Sequence, residues 1–288
     1  GEYNPLPSNF RSEGNLSDWL CRYGIPGIEG LDTRMLARSI REHGSRRGIL
    51  TDRNTTIEEG LRKIAETPVP HDAVRRVSTK RFFAVHAKVP RYRVANPKYN
   101  VVAVDCGIKL NIIRSLNRCG CNVTIVPFDT TAEEILRFHP DGLFLSNGPG
   151  DPEDVKPVIA LVAALKGKMP IFGICLGHQM IALAYGASTY KLKFGHRGGN
   201  HPVKNLKTGK VEITSQNHSY AVDPASLEAT ELEITHINLL DKTVEGVECK
   251  ADRVFSVQYH PESAPGPQDS HYLFDKFLEN MKGAKHNA

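Results

Sequence analysis

A cysteine attacks a carbonyl carbon as its thiolate, and it needs a base within reach to do so. One cysteine in this chain sits in a pattern suited to that task. Gly173-Ile174-Cys175-Leu176-Gly177 reads glycine, any residue, nucleophile, any residue, glycine, the form of a nucleophile elbow between a strand and a helix. The glycines let the two backbones approach without a Cβ clash, and the helix N-terminus behind Cys175 favours a negative sulfur. A plain alternative is a buried structural thiol. Further on, His260-Pro261-Glu262 spaces an imidazole and a carboxylate by two residues. In extended chain that spacing puts both side chains on one side. Glu262 can then fix the tautomer of His260 while His260 serves Cys175 as base. A third segment, Ser146-Asn147-Gly148-Pro149-Gly150-Asp151-Pro152, reads either as a simple turn or as a source of bare glycine N–H groups. The N–H of Gly148 with that of Leu176 would form an oxyanion hole for a tetrahedral intermediate.

These three loops act together only if the fold brings them together. From Tyr99 onward, apolar runs alternate with segments of helical period: strands at Tyr99–Asp105, Cys121–Pro127, Gly142–Ser146 and Pro170–Ile174, and helices at Ile108–Arg118, Thr131–Phe138 and Glu153–Leu165. Such alternation demands right-handed crossovers, and hence an α/β fold: an open, mostly parallel sheet with helices on both faces. Ligands bind outside the carboxyl ends of the strands in such sheets, where all three loops emerge. After Gly186 the chain is strand-rich, with runs at Val211–Thr214, Leu232–Ile237, Gly246–Cys249 and Val254–Tyr259, and a helix from Asp269 to about Met281. The first part is helical. Asp32 or Thr33 caps a segment through His43, and Thr55 or Thr56 with Glu58 or Glu59 resembles a capping box for a helix buried through Ile57, Leu61 and Ile64. Prolines at 68, 70, 90 and 97 mark a basic linker whose one strand-like piece is Arg81–Val89. The expected division is a smaller domain at 1–66, a linker and domain edge at 67–98, and the sheet domain at 99–288.

Composition narrows the function. With 288 residues, 40% hydrophobic and 24% charged, the chain has ample material for a buried core. No apolar run approaches the ~18 residues of a membrane span, and no signal peptide is read at Gly1–Pro5. Six cysteines are too sparse for a disulfide scaffold, so a cytoplasmic setting is expected. Cys119-Gly120-Cys121 lacks the spacing of a zinc knuckle, and no metal is expected. Residues 1–98 hold 18 Lys and Arg against 11 Asp and Glu. The basic residues are scattered without aromatic platforms, which favours a solvated or protein-facing surface over nucleic acid. Neither a P-loop nor a dinucleotide fingerprint is present.

The motifs resemble those of the class I, triad-type glutamine amidotransferases, and more closely the small, glutamine-hydrolysing subunits of carbamoyl-phosphate synthase. Ser146–Pro152, Gly173–Gln179 and His260–Glu262 carry the general likeness. Phe194–Val203, Ser215–His218, Gly27–Arg34 and Val104–Lys109 carry the closer one. The resemblance implies that Cys175 attacks the glutamine carboxamide, that His260 carries the proton to departing ammonia and that Glu262 orients His260. It implies glutamine contacts at Gly148, Gly150, Leu176, Gln179, Asn217, Ser219 and Tyr220. Gln179 is also reasonable as a residue one helical turn above Cys175, whereas Asn217 and Tyr220 read equally well as turn residues. The products would be glutamate and ammonia, formed through a thioester. The ammonia would pass to a large synthetase subunit making carbamoyl phosphate for arginine or pyrimidine synthesis. ATP and magnesium would belong to that partner, with no cofactor in this chain. Ser219 departs from the family, which usually has glycine there. The resemblance also implies that the family's upstream β-rich segment, source of a serine contact to glutamine, precedes the part given by this chain. The alternatives are the amidase of a different synthetase, a free-standing γ-glutamyl hydrolase or a non-catalytic regulatory subunit.

Overall fold

A computed structural model describes residues 1–10, 12–85, 98–264 and 266–285. The chain divides into two compact units, Gly1–Gly60 and Leu61–Ala288. In chain order the elements are α1 (Leu16–Arg22), α2 (Thr33–His43), α3 (Ile57–Glu66), α4 (Ala73–Val77), β1 (Phe83–Val85), β2 (Tyr99–Asp105), α5 (Leu110–Arg118), β3 (Cys121–Pro127), α6 (Ala132–Arg137) and β4 (Gly142–Leu145). They continue with α7 (Lys156–Leu165), β5 (Ile171–Ile174), α8 (Leu176–Ala184), β6 (Thr189–Asn205), β7 (Val211–Val222), α9 (Pro224–Leu227), β8 (Glu233–Asn238), β9 (Val244–Cys249), β10 (Val254–Val257) and α10 (Tyr272–Lys285).

The caps expected from the sequence are present. Asp32 accepts from the Met35 N–H at 2.9 Å, and Gly44 closes α2. Thr56 and Glu59 exchange bonds at 3.1 and 3.2 Å as a capping box opening α3. The burial expected for α3 is not found: Ile57 is 78% and Leu61 62% exposed, and Ile64 is half-buried. An amphipathic helix hides its stripe only against a second layer, and no layer of described residues covers this one.

Ten strands form one sheet in the order β1-β3-β2-β4-β5-β10-β9-β8-β6-β7. The five from β3 to β10 run parallel. The parallel sheet read from the sequence is this central part, and antiparallel strands extend it at both edges. Alternation along β2 shows how it is covered. Val102 and Val104 face one core with Leu161, Val162, Met180 and Ile181 from α7 and α8. Val101 and Ala103 face the other with Ile112 and Leu116 of α5 and Phe274 and Phe277 of α10. Phe172 stacks on Phe255 at 4.4 Å and meets Phe144 edge-on at 5.2 Å, which ties β4, β5 and β10 together beneath the site.

Two features differ from the sequence reading. Strand β6 is absent from it, because Lys191–His201 is polar and glycine-containing and its register against β7 shifts twice, which erases the period-two signal. Strand β7 is also longer than the expected Val211–Thr214 and runs to Val222. Within 67–98, α4 buries Val74 in the core and β1 pairs with β3. Of the rest of the expected Arg81–Val89 strand, Arg81 and Phe82 are not in strand, and residues 86–89 lie outside the described residues. No helix among them is long and apolar enough to cross a membrane.

Candidate active site

The chain reverses direction across the sheet between β2 and β4, and the loops after β2, β4, β5 and β10 meet at their carboxyl ends, the place where such sheets bind ligands. Cys175 follows β5 directly and caps α8 with φ 55° and ψ −101°. That is a left-handed conformation which a non-glycine residue rarely adopts, of the kind that persists where surrounding structure enforces it. The enforcement is visible. A Cβ on Gly173 would lie 2.7 Å from the Gly177 carbonyl and from Ile181, and one on Gly177 would strike the Leu145 carbonyl. Strand, elbow and helix are therefore packed backbone on backbone. The Cys175 N–H donates to Val257 O at 2.9 Å, which ties the elbow to β10.

His260 is 3% exposed and Glu262 is fully buried. The His260 Nδ1–H donates to Glu262 Oε1 at 2.8 Å, which fixes the tautomer and turns the Nε2 edge toward the sulfur. Burial opposes a charge on the ring. Its charge interaction and hydrogen bond with the Cys175 sulfur, together with Glu262, outweigh burial and raise it to about 9. Burial likewise opposes the Glu262 carboxylate, but His260 and then Lys109 hold it below its ordinary value. The cysteine, histidine and glutamate read from the sequence thus form one connected line. On the sulfur's other side, Asn217 O lies at 3.9 Å.

Above this line opens a cavity of about 380 Å³. Of the residues expected from the sequence, Cys175, His260, Gly148, Gly150, Gln179, Asn217, Ser219 and Tyr220 line it. Leu176 and Glu262 lie behind the wall. Leu176 opens α8, so its N–H is one that the helix leaves without an internal partner. A Cβ on Gly148 would strike Cys106 O and come within 2.7 Å of the Leu176 side chain, so the two expected oxyanion donors belong to adjoining segments. Gln179 uses both amide hydrogens, toward Tyr220 O at 2.8 Å and Gln258 Oε1 at 2.9 Å, which leaves its carbonyl oxygen to offer a ligand. The Tyr220 hydroxyl is raised to about 12, by burial first and then by its bond to Asp151. Ser219, the departure from the family, has a specific partner: its Oγ accepts from Arg197 Nη2 at 2.6 Å.

Lys109, Asn147 and Arg197 also line the cavity, and the sequence assigns none of them a role. Lys109 Nζ lies 3.4 Å from Glu262 Oε1 and 3.2 Å from His260 Nδ1. Asn147 accepts from the Lys109 N–H at 3.2 Å, and the Asn111 amide donates to Glu262 O. A lone lysine just past a strand's carboxyl end is the available signal for Lys109. Beneath β7, His196, His218 and Glu245 bring three possible metal-ligand atoms within 4.8 Å of one another. The Glu245 carboxylate is already engaged. The Gln216 and Asn238 amides donate to the two Glu245 oxygens at 2.9 Å each. Although burial opposes it, hydrogen bonds to Glu245 and Asp241 raise His196 above its ordinary value. The cluster reads as a polar brace for the β6–β7 hairpin.

Comparison with known proteins agrees with this construction. The family described as glutamine amidotransferase class-I matches residues 102–280, the whole of the site. The family described as carbamoyl-phosphate synthase small chain, CPSase domain, matches residues 1–50. Proteins named carbamoyl phosphate synthase small chain are similar over nearly the entire chain. One from Staphylococcus epidermidis is 52% identical over 99% of this chain and 75% of its own. Those from Listeria monocytogenes and Fusobacterium nucleatum are 51% identical over 96% of this chain and 74% of theirs. A solved structure from Thermoplasma acidophilum, described as a GMP synthase component, superposes with a TM-score of 0.57 at 24% identity. It covers 65% of this chain and 96% of its own, and it shares the fold. The class is that of the class-I glutamine amidotransferases. Within it, the chain belongs to the carbamoyl phosphate synthase small chain family, as the glutaminase component.

Proposed function

We propose that this chain hydrolyses glutamine to glutamate and ammonia at Cys175 and supplies the ammonia to a large synthetase subunit for carbamoyl phosphate synthesis. The observation that carries the reading is the buried line Cys175, His260 and Glu262, with the thiol on a strained elbow at the floor of a cavity. The sulfur attacks the glutamine carboxamide carbon, and the carbonyl oxygen becomes an oxyanion held by the N–H groups of Gly148 and Leu176. His260, charged through neutral pH, passes its Nε2 proton to the nitrogen as the C–N bond breaks, so ammonia leaves rather than an amide anion. The γ-glutamyl thioester remains on Cys175. His260, now neutral, takes a proton from water, whose oxygen attacks the thioester. Glutamate departs and the thiolate–imidazolium pair is restored. Glu262 keeps Nδ1 protonated throughout and stabilises the ring's charge.

These steps use the chain's own side chains and water, and ATP and magnesium are assigned to the large subunit. Its free thiols, Cys106, Cys121 and Cys249 buried among them, suit a reducing cytoplasm. The relatives' names favour this reading over the amidase of another synthetase, and the intact triad favours it over a regulatory subunit. The test is Cys175→Ser in the complex reconstituted with the large subunit. The elbow keeps its shape, but a hydroxyl replaces the thiolate. Carbamoyl phosphate synthesis from glutamine should collapse, while synthesis from free ammonia persists. Equal loss with both donors would make Cys175 a folding or docking residue. Full activity with glutamine would mean the nucleophile lies elsewhere.

A further inference from the structure

The two cations that line the cavity are placed differently. Lys109 has a carboxylate partner in Glu262 at 3.4 Å. Arg197 has none within 4.0 Å among the described residues, and neutral oxygens hold its guanidinium. Nη1 donates to Phe194 O at 2.6 Å and to His218 O at 3.4 Å, and Nη2 donates to Ser219 Oγ at 2.6 Å. A guanidinium has five N–H donors, so donors remain and the charge is uncompensated. The cavity lining contains no Asp or Glu among the described residues. An arginine whose fork is fixed by backbone and hydroxyl, at the edge of a cavity without acids, is organised to receive a planar anion.

Its place in the cavity wall suits one anion in particular. Arg197 stands opposite Asn217 in the β6–β7 ladder, and Asn217 O lies 3.9 Å from the Cys175 sulfur. Arg197 and Cys175 line the same cavity, so the guanidinium faces the space in which the reacting atom lies. Resting on the glutaminase reading, we infer that Arg197, held in place by Ser219, binds the α-carboxylate of glutamine and sets specificity for a free amino acid over a blocked one. The hydroxyl at 219 steadies the arginine fork, a task glycine could not perform.

The experiment compares L-glutamine with its α-methyl ester, which keeps the γ-carboxamide and loses the carboxylate charge. Binding is measured by calorimetry on the full chain carrying Cys175→Ala, and ammonia release on the chain with Cys175 intact. Arg197→Gln should weaken binding of glutamine and raise its KM by about 10–100-fold, the loss expected for a charge-assisted hydrogen bond. kcat should change only a few-fold, and the ester should bind as before. Arg197→Lys should recover part of the loss, and Ser219→Ala should produce a smaller rise in KM. Equal weakening of both ligands, or of neither, overturns the inference. A chain that binds glutamine through Arg197 yet releases no ammonia would refute the hydrolytic reading and leave this inference standing.

Discussion

The φ of 55° and ψ of −101° at Cys175 should be measurable as stored free energy. Strain of this kind amounts to about 1–3 kcal/mol, and glycine at the same position avoids it because it has no Cβ. Glycine also gains about 0.5–1 kcal/mol of backbone freedom in the unfolded chain, which opposes the relief. The informative pair is Cys175→Gly against Cys175→Ala. Both lose the thiol and its interaction with His260, so that loss cancels between them and the backbone term remains. The glycine variant should be the more stable by roughly 0.5–2 kcal/mol, or about 1–8 °C in Tm for a domain of this size. Urea titration with matched m-values provides the check, since an altered m would signal a changed denatured state. If the alanine variant equals or exceeds the glycine variant in stability, the strain at the elbow is no larger than glycine's gain in unfolded freedom, below the range expected here.

Further expectations concern the chemistry. With His260 raised to about 9, kcat/KM should fall as pH rises through that value, because the neutral ring has no proton for departing ammonia. Glu262→Gln removes a group that raises the ring, so the alkaline limb should move to lower pH; an unmoved limb would exclude the pair. The same sign governs stability. His260's folded value lies above its ordinary 6.5, so its stabilisation is complete below about 6.5 and is lost as pH rises through 9, which calorimetric Tm across that window would show. Gly148→Ala would force a Cβ onto Cys106 O and the Leu176 side chain. It should lower kcat by about 10²–10³-fold through a displaced oxyanion donor, and a kcat within a few-fold of the parent would remove Gly148 from that role. Lys109→Met leaves Glu262 without its cationic neighbour and should lower kcat about tenfold while moving the alkaline limb upward. A change in KM alone would place Lys109 with the ligand instead.

The readable part of the site shares a physical character. Cys175 and the 146–152 loop announce themselves through local turn chemistry, because glycine is required where a backbone must twist or approach another. His260 and Glu262 are readable because two-residue spacing has one meaning in extended chain. The parallel strands are legible for a similar reason: each is a short, largely apolar run bounded by turns. Lys109 and Arg197 are not legible as partners. Lys109, just past β2, meets Glu262, just past β10, only because β10 lies three strands from β2 in the sheet, and Arg197 meets Ser219 only through a hairpin register containing two shifts. Strand order and register are long-range properties that no local window contains. The stripe on α3 misleads in the opposite sense: its period specifies a face, but a sequence does not say which layer covers that face.

The placement of thiol and imidazole on neighbouring parallel strands has a consequence for how such a protein can change. Ile174 pairs with Val257, Cys175 follows the first of them, and His260 lies three residues past the second. The spacing of sulfur and imidazole is therefore set largely by the interstrand repeat. Of the groups lining the rest of the cavity, Arg197, Asn217, His218, Ser219 and Tyr220 belong to the β6–β7 hairpin, an antiparallel arm at the sheet's far edge. The sulfur–imidazole pair and this part of the cavity wall are thus separately heritable. A lineage can rewrite the arm and acquire a different substrate preference while the bond-breaking apparatus passes unchanged from ancestor to descendant.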